Sequence, residues 1–307
     1  MFGSYRLILA CFVALSHFGF VFFGFNPGQW AVISFYVLSG FLMSSQILKF
    51  SNCRLFYIDR FLRIYPLFLA VLLLASLIDR PTFATVLVNS LLFPLDYEMF
   101  TGVNTVVKPS WSLACEAHFY LLVPLLTAAS TRVLRLIVIG SVGLFTISVW
   151  LPWPAFWSFS ALPGILFTFI TGMLIYRKDI YFIKLLWAIM LLLFAGFLYT
   201  KHMNKALPAG IHINVCAGYL IGLPIILKLS QFSPKVTWDQ WLGLLSFPLF
   251  LVHEPVGKCI NYFLGHVPYG LLLTFSVIAA FILVVLIEKP MDYIRYKIRG
   301  VPARAAS

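Results

Sequence analysis

Leu7–Ser16 reads LILACFVALS, a run without a charge that is bounded by Arg6 and His17. Such a run predicts a helix with a cation at its mouth and an imidazole inside a membrane. Ionisable groups in hydrocarbon are costly, so they are functional or specifically paired. From Arg6 to His17 the chain takes eleven steps of about 100°, which return it to nearly the same face. At about 1.5 Å per residue, His17 is expected roughly 16 Å deeper than Arg6, near or beyond the midplane.

The rest of the composition extends this reading. The chain has 307 residues, 62% hydrophobic and only 10% charged, which excludes a soluble globular domain and fits a polytopic membrane protein. Aromatic residues make up 17%, as expected where Trp and Tyr gather at membrane interfaces. The net charge of +12 does not signal nucleic-acid binding, because the Lys and Arg residues cluster in short loops between apolar spans. Cys11, Cys53, Cys115, Cys216 and Cys259 are scattered without a CxxC pair, so neither a disulfide framework nor a metal site is expected. The apolar N-terminus lacks a small-x-small cleavage site and is read as a retained span.

Spans of about 17 to 25 apolar residues cross a bilayer. About ten are expected, at 7–23, 30–48, 62–78, 112–129, 133–151, 159–176, 183–200, 211–228, 241–262 and 269–288. Segment 82–95 is too short and reads as re-entrant or interfacial. Basic residues follow spans two, four, six, eight and ten, including Lys49, Arg54, Arg60, Arg63, Lys235 and Arg304. Lys201 and Lys205, after span seven, run against this pattern. The positive-inside rule therefore predicts an all-α polytopic bundle with both termini in the cytoplasm. Residues 1–300 form one expected membrane domain and 301–307 a short cytoplasmic tail.

A few polar residues stand out in this apolar chain. A neutral imidazole at His17 suits a general base for a hydroxyl nucleophile. Span two contains SFYVLSGFL, in which Ser39 is placed to hydrogen-bond in a site and Gly40 to permit close helix approach. Next, RFLRIYP puts Arg60 and Arg63 on one helix face, where paired guanidinium groups suit an anion. Pro66 is expected to bend or begin span three. In WSLACEAHFYLLVP, Glu116 and Tyr120 are i,i+4 partners beside Trp111 and Ser112, while His118 points elsewhere. A carboxylate there is positioned to orient His17. Span nine carries His253 and Glu254 roughly 18 Å in by helical rise. His202 and His212 are read as loop residues.

In this order the motifs resemble the acyltransferase-3 family of integral membrane acyltransferases. The resemblance rests on Arg6 to His17, SFYVLSGFL, RFLRIYP, WSLACEAHFYLLVP, VHEP and EKP, running from residue 6 to 290. Tyr36 departs from a more usual Phe, and Asp59 stands where a second arginine often precedes Arg60, thinning the expected clamp. The resemblance implies transfer of an acyl group, commonly acetyl, from acyl-coenzyme A as cosubstrate, with no tightly bound cofactor. The implied acceptor is a hydroxyl of a sugar or a cell-surface or secreted glycan. A cell-membrane location is implied, the inner membrane in a bacterium. Arg6, Arg60 and Arg63 would then hold coenzyme A phosphates, with the pantetheine arm along the face shared by Arg6 and His17. His17 would take the hydroxyl proton, oriented by Glu116 or Glu254, with His253 as the competing base. Ser39, Trp111, Ser112 and Tyr120 would line the substrate site. The competing class is a proton-coupled transporter of an anionic or acylated metabolite, which mid-membrane His and Glu would also serve.

Overall fold

The computed structural model describes residues 2–299 except 103, 204–207 and 233–235. Lys205, Lys235, Arg304 and the tail 301–307 lie outside the described residues. Local chemistry sets the helix starts. Asn26 caps α2 (Pro27–Gln46) by accepting from the Gln29 N–H at 3.2 Å, and Pro27 occupies the first turn, where no intrahelical donor is needed. Asn52 caps α3 (Cys53–Asp79) through the Leu55 N–H at 2.9 Å, and Ser130 caps α7 (Thr131–Ile147) in the same way. The remaining long helices are α1 (Phe2–His17), α6 (Ser110–Ala128), α8 (Leu162–Tyr176), α9 (Ile180–Met203), α10 (Gly210–Gln231) and α11 (Thr237–Leu264). At the end, α12 (Tyr269–Leu283) passes through a π-turn at Val284–Glu288 into α13 (Lys289–Ile298). Short α4 (Phe83–Ser90) and α5 (Glu98–Thr101) lie between α3 and α6.

Among the described residues, eight helices are long and apolar enough to cross a membrane. With α1, which is short, and α11, which is long but more polar, they account for the ten expected spans. The chain is a polytopic helical membrane bundle. Three boundaries differ from the sequence reading. α1 stops at His17 rather than continuing to residue 23. α3 runs unbroken through Pro66 from Cys53, nine residues before the expected start, so Pro66 neither begins nor ends it. The last span continues beyond the EKP motif into α13. His202 closes α9 and His212 lies buried in α10, so neither is a loop residue.

α2 is the central strut, packed against α1, α6, α8 and α10. Its closest approach is to α8. A Cβ at Gly40 would stand 1.8 Å from the Phe169 carbonyl oxygen, and one at Gly172 would stand 2.0 Å from that of Val37. Only glycine admits that separation, as small residues do in membrane interfaces.

α1 and α11 run parallel in a fixed register. The Gly3 N–H donates to Asp239 at 3.0 Å and the Ser4 N–H at 2.9 Å, while the Ser4 hydroxyl also reaches that carboxylate. Asp239, in the first turn of α11, thus caps the first turn of α1. Both Gly3–Asp239 and His17–His253 are 236 residues apart, so one register holds from one end of α1 to the other. Ala10 and Ala14, both fully buried, are the small residues between. In the turn Phe93–Tyr97, outside the spans, Asp96 stands 3.0 Å from His118 Nδ1 of α6 and ties the turn to that helix; burial pushes the Asp96 carboxyl up.

Replacing Gly172 with Leu is expected to destabilise the bundle by about 1–3 kcal/mol or more through overpacking against α2. A lower midpoint in detergent thermal unfolding checks it; an unchanged midpoint contradicts the close approach.

Candidate active site

Two cavities lie on opposite sides of the bundle. The larger, about 500 Å³, opens at the face where the first turn of α1 and α13 lie. It is lined by α2, α3, α6, α11 and α13, and by α1 only at Phe2, Gly3 and Arg6. From Gln46 to Val32 on α2 it runs about 21 Å by helical rise, so it is long and narrow.

Arg6, Arg60, Arg63, Arg295 and Arg299 line this cavity. Four of them already hold carboxylates. Asp59, fully buried, is gripped by three guanidinium groups: Arg60 Nε at 3.0 Å, Arg295 Nε at 3.2 Å and Arg299 Nε at 2.9 Å. Arg295 also pairs with Asp292, and Arg63 pairs with Glu288 while its guanidinium lies 5.4 Å from the centre of the Phe247 ring. Asp59 therefore gathers arginines rather than thinning the cluster, which corrects the sequence reading. It draws in Arg295 and Arg299, which the sequence reading did not single out; their i,i+4 spacing in the basic C-terminal segment was the available signal. At the mouth five arginines stand among four carboxylates, Asp59, Asp239, Asp292 and Glu288. Arg6 differs from the others. Among the described residues its side chain makes no hydrogen bond or ion pair, and it lines the cavity.

Farther in stands Glu116. Its Oε1 accepts from Ser39 Oγ at 2.5 Å and from Tyr120 OH at 2.6 Å, so the i,i+4 pair forms. The Arg60 guanidinium lies 5.8 Å from the centre of the Tyr120 ring. Ser112 also lines this cavity, but its hydroxyl is spent on the Pro109 carbonyl at 2.9 Å. Tyr36 OH points to the Ser112 carbonyl at 3.5 Å, so the phenol that replaces the usual Phe finds a buried acceptor.

The second cavity, about 320 Å³, is lined by His17, Phe18, Glu98, Thr105, Lys108, Trp111, Glu254 and Lys258. His17 is not buried, as its place in an apolar run suggested; its side chain is exposed and opens on this cavity. α1 ends at His17, so this last side chain faces the cavity instead of a neighbouring helix turn. Nor does a shared track along α1 join Arg6 to His17, since residues 7–16 line neither cavity.

The partner of His17 is not a carboxylate. Its Nδ1 lies 2.9 Å from Nε2 of His253, which is fully buried. Glu116 is bonded to Ser39 and Tyr120 in the other cavity. Glu254 accepts from the Lys108 N–H at 2.6 Å and pairs with Lys258 at 3.0 Å, pinning the segment before α6 to α11. Lys258 in turn reaches Asp79 at 2.6 Å. The tautomers follow from the acceptors. His253 Nδ1 faces the Leu249 carbonyl at 3.2 Å, which can only accept, so that nitrogen carries the proton. His253 Nε2 is then an acceptor, His17 Nδ1 donates to it, and His17 Nε2 keeps its lone pair. Trp111 completes the wall, its ring 4.8 Å from that of Phe159.

The structure thus brings Arg6, Arg60, Arg63, Ser39, Ser112, Glu116 and Tyr120 to one cavity, and His17, Trp111 and Glu254 to the other, with His253 behind His17. An uncommitted guanidinium suits an anionic ligand, and an oriented imidazole lone pair suits proton abstraction.

Residues 5–289 match the family model described as an acyltransferase domain. An uncharacterised protein of Aquifex aeolicus is 22% identical over 62% of this chain and 90% of its own length. Acyltransferase MdmB of Streptomyces mycarofaciens is 36% identical over 32% of this chain, a match spanning 28% of that protein. No solved structure matches.

Replacing Asp59 with Asn would leave three arginines around a neutral amide. The expected cost is about 3–5 kcal/mol, as for a buried ion pair that loses one partner. Unfolding midpoints of the two proteins in detergent read it; equal midpoints contradict a structural role for the cluster.

Proposed function

This chain belongs to the acyltransferase-3 family, and on that premise we propose a membrane O-acyltransferase that moves an acyl group, acetyl first among candidates, from acyl-coenzyme A to a carbohydrate hydroxyl. The observation that carries the reading is the His17–His253 hydrogen bond, which leaves His17 Nε2 as a free acceptor facing a cavity.

In this reading the donor enters from the basic face, which the positive-inside rule assigns to the cytoplasm. Arg6 takes a phosphate outright, and the arginines held by Asp59 and Glu288 line the rest of the mouth. The acceptor occupies the cavity on the other side, with a sugar face against Trp111. His17 Nε2 removes the hydroxyl proton as the oxygen attacks the thioester carbonyl. The carbon–sulfur bond breaks, and the proton passes to the departing thiolate, giving the ester and free coenzyme A. His253 acts as a positioning residue: it holds His17 in the reactive tautomer without touching substrate. Glu116, hydrogen-bonded to Ser39 and Tyr120, shapes the donor cavity. The match to MdmB supports acyl transfer without naming an acceptor.

Purified protein with labelled acetyl-coenzyme A and candidate glycans should release coenzyme A and label the glycan. Transmembrane uptake without release would instead favour a transporter. His17→Ala is expected to lower turnover about 10²–10⁴-fold while the protein stays inserted. Undiminished product from that variant would remove His17 from the chemistry. Arg6→Gln is expected to raise the KM for acetyl-coenzyme A about tenfold or more, the scale of one lost charge-assisted contact. An unchanged KM would show that Arg6 does not read the donor.

A further inference from the structure

The two cavities come close to one another without being joined. On α6 the change of side takes one residue: Ser112 lines the donor cavity and Trp111 the opposite one. On α11 it takes four, from Phe250 to Glu254, about 6 Å of rise. The wall between them is therefore about one layer of side chains thick.

Phe35 and Phe250 stand in that layer at the inner end of the donor cavity. Their rings meet edge to face, with centroids 5.9 Å apart and planes at 73°. Both line the donor cavity and neither lines the other one. Phe250 lies three residues before His253 on α11, about 4.5 Å of rise toward the donor cavity. Val32 closes the same end from α2.

Resting on the acyltransferase reading above, we propose that Phe35 and Phe250 form an acyl-size filter that restricts the donor to short acyl groups. The reacting carbonyl carbon must come within about 3–3.5 Å of the acceptor oxygen. That oxygen must in turn lie within about 2.6–3.2 Å of His17 Nε2. Donor and acceptor start on opposite sides of the ring pair, so the acyl group must enter the layer for transfer to occur. An acetyl group brings one methyl into it. Every further methylene must find room between rings already in contact, and a methylene that does not fit its pocket is discriminated by about 10-fold or more.

The test compares kcat/KM for acetyl- and hexanoyl-coenzyme A in the wild-type protein and in Phe250→Ala and Phe35→Leu, with one fixed glycan acceptor. The wild type is expected to prefer acetyl by about 100-fold or more, and each variant to raise the hexanoyl-to-acetyl ratio about tenfold. Phe250→Leu replaces Phe250→Ala if the latter is not recovered as a monodisperse protein in detergent. Val32→Phe, which adds bulk to the same end, is expected to shift the ratio of propionyl to acetyl transfer the opposite way. A wild type that uses hexanoyl as readily as acetyl, or ratios unmoved in every variant, overturns the filter and leaves the acyltransferase reading standing. Absence of turnover with any thioester overturns that reading and the filter with it.

Discussion

The parallel pairing of α1 with α11 is the constraint on which the site depends. Asp239 captures the first backbone donors of α1, groups that a helix cannot satisfy for itself. That contact sets the register at one end. Ala10 and Ala14 keep the helices close, and His17 meets His253 at the other end because the offset of 236 residues persists. A slip of one residue would rotate α1 by about 100° and carry His17 off its partner. The chemistry proposed for His17 is thus a consequence of a cap four turns away.

A second organising contact lies at the basic face. A buried carboxylate is costly unless its charge is met. Asp59 meets that cost with three guanidinium groups drawn from α3 and from the C-terminal segment. The same pairing fixes α13 over the cavity mouth and orients arginines that would otherwise repel one another. Arg6 stays outside the network, which leaves it available to a ligand. The proposed phosphate-bearing donor would meet one unpaired guanidinium there, with the others held in place.

Two cavities on opposite sides recast the expected single track. A cosubstrate lying along one face of α1 would need that face open from Arg6 to His17. Ala10 and Ala14 are buried on the helix face that carries Gly3 and His17 to α11, and the open path follows α2, α6 and α11. In the proposed reaction, donor and acceptor would meet across the aromatic layer, so neither would have to cross the bundle whole.

Much of this was legible in the residues themselves. Apolar runs mark the helical spans because insertion depends on sums over some twenty neighbouring residues. Loop charges mark sidedness for the same local reason. Arg6, His17, Glu116, His253 and Glu254 stand out because ionisable groups in such runs are rare. What each one touches was decided by tertiary structure alone. Glu116 turned to Ser39 and Tyr120, Asp59 to arginines 236 and 240 residues away, and His17 to an imidazole instead of a carboxylate. These pairings depend on helix register and on which small residues let two backbones approach. Neither is a property of any one segment, so neither can be read before the helices are packed.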